Sequence, residues 1–130
     1  MASMVDMPRS ARNLGSWGEE LAAEYLRGLG WHVVARNWRC SLGELDVIGL
    51  EPTAEGRLTG VVVEVKCRSG IDYGDPLEAI TAQKVRRLRT LAGVWYRDYG
   101  LQLSGLRVDA IGISKLRGLA PQLRHVRGLA

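Results

Sequence analysis

Apolar positions recur every three or four residues between 16 and 30: Trp17, Leu21, Tyr25 and Leu29, widened by Ala22 and Leu26. That spacing predicts an amphipathic helix. Ser16 stands as its cap with Glu19 three residues on, and Gly28 and Gly30 mark its end. The period then changes. Residues 31–36 read as a short strand and 37–43 as a turn region carrying Trp38, Arg39 and Cys40. Residues 43–50 give a second strand. Pro52, Gly56 and Gly60 among polar neighbours predict an exposed hairpin loop. Residues 61–67, rich in valine, suit a pleated and buried strand. Asp75-Pro76-Leu77-Glu78 predicts a second helix start, with Asp as cap and Pro at the first position. Its stripe of Ile80, Val85, Leu88, Leu91, Ala92 and Trp95 carries it to Tyr96 or Asp98. Residues 105–113 form a further strand, and 123–129 a short edge strand.

Three strands joined by short connections predict a meander, and a strand that follows a helical crossover can add in parallel. The expected fold is α/β with a mixed central sheet flanked by helices. Residues 14–130 are expected to form a single domain, and residues 1–13 a flexible, slightly basic leader. A length of 130 residues is enough for one real core.

Composition narrows the classes. No run approaches the roughly 18 apolar residues that span a bilayer, and the start lacks the apolar segment of a secretory signal. A cytoplasmic chain with no membrane partner is the expectation. Cys40 and Cys67 have no CxxC partner and no histidine at zinc spacing, so two reduced thiols are expected. The net charge of +4 is compatible with a polyanionic partner.

The third strand carries the candidate chemistry. Alternation sets Glu64 and Lys66 on one face with Val62, opposite Val61, Val63, Val65 and Cys67. Charged side chains are rarely buried unless paired, metal-bound or reactive. If the hairpin loop is centred near Glu55, Asp46 faces Glu64 and Glu44 faces Lys66. Directly opposed Cβ atoms lie roughly 4.5–5.5 Å apart, close enough for two carboxylates to share a divalent cation. A one-residue slip would move Asp46 to the other face. Lys66 could orient or deprotonate an attacking water, or hold charge on a phosphate.

With these residues in place, the chain resembles the PD-(D/E)xK nucleases, in Asp46 followed by Glu64-Val65-Lys66. Within that superfamily it closely resembles the small YraN-type endonuclease-like proteins, a group also compared with archaeal Holliday-junction resolvases. The matching pieces are Gly18-Glu19-Glu20-Leu21-Ala22, Arg36-Asn37-Trp38-Arg39, Gly43-Glu44-Leu45-Asp46, Val63-Glu64-Val65-Lys66 with Arg68, Pro76-Leu77-Glu78-Ala79 with Lys84, and Arg107-Val108-Asp109. They run in order over residues 14–113. The resemblance implies a restriction-endonuclease-like αβββαβ core and a nuclease cleaving DNA with Mg²⁺ or Mn²⁺, on branched, single-stranded or otherwise structured substrates. It implies Asp46 and Glu64 as metal ligands, with the Val65 carbonyl as a third oxygen and Lys66 as the catalytic lysine. Glu19 resembles an extra acidic ligand. Lys84, with Gln83, would sit on the second helix near the site. Leu45 departs from the pattern, standing where the signature has proline.

Plainer readings stand beside these. Glu64 and Lys66 could form a satisfied salt bridge, and the whole set an ordinary ion-pair cluster. Glu19 serves equally as a cap partner. Glu44 reads as a rim residue pairing Lys66 or Arg39. Asp109 reads as structural, paired with Arg107, and Glu20 and Glu24 as a solvated face. Trp38 and Tyr73 read as packing residues, and Cys67 as facing away from the site. His32 and His125 have no assigned role. Lys84, Arg86, Arg87, Arg68 and Arg39 are candidates for phosphate contact, although charge runs are often only solvated surface. Two functions therefore remain: a metal-dependent nuclease, and a catalytically silent nucleic-acid-binding or scaffold module of the same fold. By analogy with nucleases of this size, a homodimer is a further expectation.

Overall fold

Val61, Val62 and Val63 run through the middle of the molecule and send alternate side chains into two different cores. The computed structural model describes residues 11–69, 75–100 and 102–129, with side chains from Leu14 onward. Its elements are α1 (Ala11–Gly28), β1 (His32–Cys40), β2 (Gly43–Pro52), β3 (Leu58–Ser69), a 3₁₀ turn (Pro76–Ala79), α2 (Ala82–Tyr99), β4 (Gly105–Lys115) and β5 (Gln122–Val126). The sheet order is β1-β2-β3-β4-β5. Only β3 and β4 pair in parallel; the other neighbours are antiparallel. The crossover that a parallel pair requires is α2. The architecture is α/β with a mixed sheet, as expected.

One sheet face packs Leu45, Ile48, Leu50, Val62 and Val108 against Leu88, Leu91, Ala92 and Trp95 of α2. The other packs Val47, Val61, Val63, Ile111 and Ile113 against Ala22 and Leu26 of α1 and against Trp31. Strand alternation alone produces this division. Leu45, at the place of the signature's proline, is 1% exposed and pairs with Trp38. Gly18 is a required close approach: a Cβ there would lie 2.0 Å from Cys67 Sγ.

Four expectations need correction. The helix α1 is already present at Ala11, so Ser16 is not its cap and Glu19 sits mid-helix. Of the expected stripe, Ala22 and Leu26 are buried and Trp17, Leu21 and Tyr25 pack half-buried on the same core, with Gly18 and Ala23 buried beside them; Leu29 departs, lying past the end and half exposed. The first strand continues to Cys40, because Trp38 and Cys40 can pack on the α2 core while pairing with Leu45 and Gly43. The second helix is split. Asp75 caps only the 3₁₀ turn, Ile80 is extended, and Thr81 caps α2 by accepting Lys84 N–H at 3.1 Å. The hydroxyl of Thr81 offers the chain a second N-terminus, which the Asp-Pro signal overshadows.

The first ten residues of the expected leader lie outside the described residues, as do Tyr73 and most of the 69–75 loop; Ala11, Arg12 and Asn13 belong to α1. The expected edge strand exists, as Gln122–Val126. Among the described residues no helix is long and apolar enough to cross a membrane.

Candidate active site

The β2–β3 ladder runs from Pro52↔Leu58 to Val47↔Val63, the register that sets Asp46 across from Glu64. It stops one step before that pair. Asp46 Oδ2 instead accepts the Val65 N–H at 2.9 Å. The two carboxyl groups remain neighbours. Burial first, then a hydrogen bond and the charge of Glu64, push the Asp46 carboxyl up to about 8, against the opposing pull of the Val65 N–H. One carboxylate cannot ionise freely beside another in a poorly solvated place.

Glu64 is only 5% exposed. Its cation is not Lys66. Lys84 Nζ reaches in from the first turn of α2 and lies 3.2 Å from Glu64 Oε2. That approach lacks the direction of a hydrogen bond, and Oε2 is left without a hydrogen-bond partner among the described residues. Lys66 is half-buried on the same face and has no ion pair or hydrogen bond among the described residues. The expected Glu64–Lys66 salt bridge therefore does not form. Glu44 pairs with Arg39 at 2.9 Å, the second of its two expected partners.

Glu19, Glu44, Asp46, Glu64, Lys66 and Lys84 line one cleft of about 330 Å³. Two slightly larger hollows, about 380 and 400 Å³, open between α2 and the C-terminal segment. Neither gathers carboxylates around an unpaired lysine. Glu19 enters the cleft from α1, and its mid-helix position removes the capping account. Burial raises its pKa, an Asn37 hydrogen bond and Arg36 oppose that, and Glu44 and Glu64 add to it, with a net rise.

Could this set hold a metal? Among the described residues no group of three or more His, Cys, Asp or Glu is close enough to cage an ion. What is present is a pair of adjacent carboxylates with one buried, unbonded oxygen. All are hard oxygen donors. They fit a small cation that keeps several waters, such as Mg²⁺ or Mn²⁺, better than an ion that needs a full protein cage.

The expected phosphate contacts divide. Lys84 lines the cleft. Arg87 is exposed on the helical stripe that joins Lys84 to Leu91, beside the cleft side of α2. Arg86 is exposed but stands about 200° round the helix from Lys84. Gln83 is exposed as well. Arg39 is exposed and tied to Glu44, and Arg68 is half-buried with Nε lacking a hydrogen-bond partner among the described residues. Neither lines the cleft. Cys67 does not face away from the site as expected: it turns toward α1, the helix that brings Glu19, and lines the cleft, where burial, then Glu19 and Asp46, push its thiol up to about 11. Both cysteines are free.

Elsewhere, Glu24 is exposed as expected, and Glu20, with its side chain 40% exposed, also accepts from Arg36 Nη1 at 2.5 Å. His125 is buried in a polar network with Asp109, 2.8 Å from its Nε2, and with Tyr25, whose hydroxyl lies 3.0 Å from its Nδ1. The structural reading of Asp109 holds, with Arg107 donating to both its oxygens at 2.8 and 3.0 Å.

The profile of the Uncharacterised protein family UPF0102 matches residues 18–113. A UPF0102 protein of Renibacterium salmoninarum is 44% identical over 121 residues, covering 93% of this chain and 98% of that one. One from Mycobacterium sp. strain KMS is 43% identical over 130 residues, covering 100% and 93%. One from Mycobacterium tuberculosis is 44% identical over 119 residues, covering 89% and 91%. Among solved structures, the EndoMS–dsDNA2 complex is 15% identical with a TM-score of 0.37, over 78% of this chain and 37% of that one. SfsA of Pyrococcus furiosus in complex with Ca²⁺ is 13% identical with a TM-score of 0.42, over 93% and 65%. At those scores neither bears on what the chain does. The family match and the near full-length relatives do bear on what it is: the chain belongs to the UPF0102 family, the YraN-type group that its motifs resemble.

Proposed function

We propose that the protein is a divalent-metal-dependent nuclease that hydrolyses phosphodiester bonds in DNA, with branched or otherwise structured DNA as its substrate. The observation that carries this is one cleft holding two adjacent buried carboxyl groups, Asp46 pushed toward its neutral form by burial and by Glu64, beside a lysine unpaired among the described residues. A structural ion-pair cluster would match its charges, and among the described residues this one leaves Lys66 without an ion pair and Glu64 Oε2 without a hydrogen bond.

Asp46 and Glu64 would hold the cation, with Glu19 as a further oxygen donor and the Val65 carbonyl within the same strand. When bound, the cation supplies Lewis acidity toward a phosphoryl oxygen and makes water a stronger acid. Lys66, unpaired on the same face, orients the attacking water and takes up its proton or holds the phosphate's charge. Lys84 sets its positive charge 3.2 Å from Glu64 Oε2. The exposed Arg87 beside it, with Arg39 and Arg68 further out, contacts the nucleic-acid backbone.

The test is cleavage of labelled branched, single-stranded and duplex DNA with Mg²⁺ or Mn²⁺. Lys66→Ala is expected to lower the rate by roughly 10²–10⁴-fold, the usual worth of a positioned proton-transfer group. If the purified protein cuts none of these, or if Lys66→Ala and Asp46→Ala cut as well as wild type, the nuclease reading is wrong. Arg86 and Arg87, exposed and unpaired among the described residues, favour a second reading, a silent DNA-binding or scaffold module. It requires salt-sensitive DNA binding that is indifferent to divalent metal. A stoichiometric Mn²⁺ site that is lost in Asp46→Asn excludes it.

A further inference from the structure

Glu19 reaches the cleft from a helix, and two consecutive residues of the edge strand hold it there. Asn37 is the one residue other than glycine with a positive φ, 53°, among the described residues. It stands between Arg36↔Val47 and Trp38↔Leu45, so the register sets it opposite Asp46, and the ladder skips that step. A left-handed backbone within a strand is a strained setting, and such outliers gather at functional sites. Glycine would take that φ without strain. The asparagine side chain stands near the Glu19 carboxylate and favours its charged form, against burial.

Arg36 does the companion work. Its Nη2 lies 3.9 Å from Glu19 Oε1 and donates to the Ser16 carbonyl at 3.4 Å, while Nη1 donates to Glu20 Oε2 at 2.5 Å. The guanidinium is thereby fixed to one turn of α1. Glu19 itself has a side chain only 13% exposed. The skipped ladder step also leaves Asp46 without a backbone partner on β1. The same irregularity thus touches two of the three carboxylates.

We propose that Asn37, supported by Arg36, is a positioning residue that holds the Glu19 carboxylate in the cleft as an additional acidic group for a cation bound by Asp46 and Glu64. This rests on the metal-dependent reading above. It separates from a purely structural role, in which the two residues only stitch β1 to α1. Removing a stitch lowers stability and leaves cation affinity alone. Removing a positioning residue lowers affinity through Glu19, and only through Glu19.

The experiment titrates Mn²⁺ calorimetrically into wild type, Asn37→Gly, Glu19→Gln and the double variant, and melts each without metal. Partners that orient metal ligands typically contribute about 10–100-fold in affinity. Asn37→Gly is expected to weaken Mn²⁺ binding by that order while its metal-free melting temperature stays close to wild type. The double variant is expected to bind no more weakly than Glu19→Gln alone. Arg36→Gln repeats the test at a residue of ordinary φ and is expected to weaken binding in the same direction. Wild-type affinity in Asn37→Gly, or losses that multiply in the double variant, overturn this inference and leave the metal reading intact. A wild type that takes up no Mn²⁺ overturns both.

Discussion

Asp109 accepts two hydrogen bonds from Arg107 and one from the Gly128 N–H, and it shares another with His125. Asp46 accepts one, from the Val65 N–H, and its nearest charged neighbour is another carboxylate. Both side chains lie in the same sheet, two strands apart. Burial acts on both in the same direction, toward the neutral acid. At Asp109 the bonds from His125, Arg107 and Gly128 outweigh burial and hold the carboxyl at about 2. At Asp46 burial and Glu64 act together and push it to about 8. The difference shows how to tell a structural charge cluster from a site without knowing any function. The first is closed: Arg107 also binds Glu51, Arg127 binds Glu51 again, and both guanidinium groups lie over the Trp31 ring. The second is open on the cation side.

The largest effect that would test this contrast is at the closed cluster. Asp109→Ala takes one carboxylate partner from Arg107, which keeps Glu51, and removes the partner of Nε2 on the buried His125 ring. Removing one partner of a buried charged set costs roughly 3–5 kcal/mol. The loss should appear in urea unfolding, together with release of the C-terminal segment, because Asp109 also fixes Gly128 N–H and neighbouring Val108 O accepts Leu129 N–H at 2.7 Å. A loss under about 1 kcal/mol, the size of an ordinary surface change, would break the contrast.

Acid should expose the same difference more gently. The Asp109 carboxyl falls from an ordinary 3.8 to about 2 on folding. A depressed folded value contributes stability that is fully present above pH 4 and is lost as pH falls through 2. The span corresponds to roughly 2 kcal/mol. The measurement is urea unfolding from pH 6 to pH 2, wild type against Asp109→Asn. The stability gap between them should narrow across that window; a constant gap would mean that the carboxylate's charge is not what the cluster uses.

How much of this could be read from the chain? The hairpin register and the Asp46–Glu64–Lys66 face were legible because strand alternation has a fixed period and β2 and β3 carry strong valine and isoleucine patterns. The partner of Glu64 was not. Lys84 reaches it only because Thr81 restarts the helix after Ile80, and a weak cap behind a strong Asp-Pro signal is easily absorbed into one long helix. The Ser16–Glu19 spacing pointed to a capping box that the helix does not form, since α1 is present from Ala11. Arg36 and Asn37 were visible as part of a motif, but nothing local says that an edge strand will reach back to α1. His125 was least legible of all. Its role depends on Asp109 and Tyr25, 16 and 100 residues away, meeting across a short edge strand.

The smallest effect is the most discriminating, because its sign is opposite to that at Asp109. Without metal, Asp46 holds a carboxyl group where folding disfavours its charge, so at neutral pH the unfolded chain, free to ionise, is favoured. Asp46→Asn keeps a polar group able to accept the Val65 N–H and removes the conflict with Glu64. It is expected to stabilise the metal-free protein by about 1 kcal/mol, the size of gain common when a functional group is neutralised. With saturating Mn²⁺ the order should reverse, since an ion bound only to the folded wild type raises its stability by mass action and the asparagine variant forgoes that gain. The measurement is a pair of melting curves for each protein, with chelator and with Mn²⁺. A variant less stable than wild type in chelator would place Asp46 with Asp109, as a satisfied structural acid. A variant more stable in chelator and less stable in Mn²⁺ would mark the same carboxylate as one whose position the fold tolerates only for the sake of what it binds.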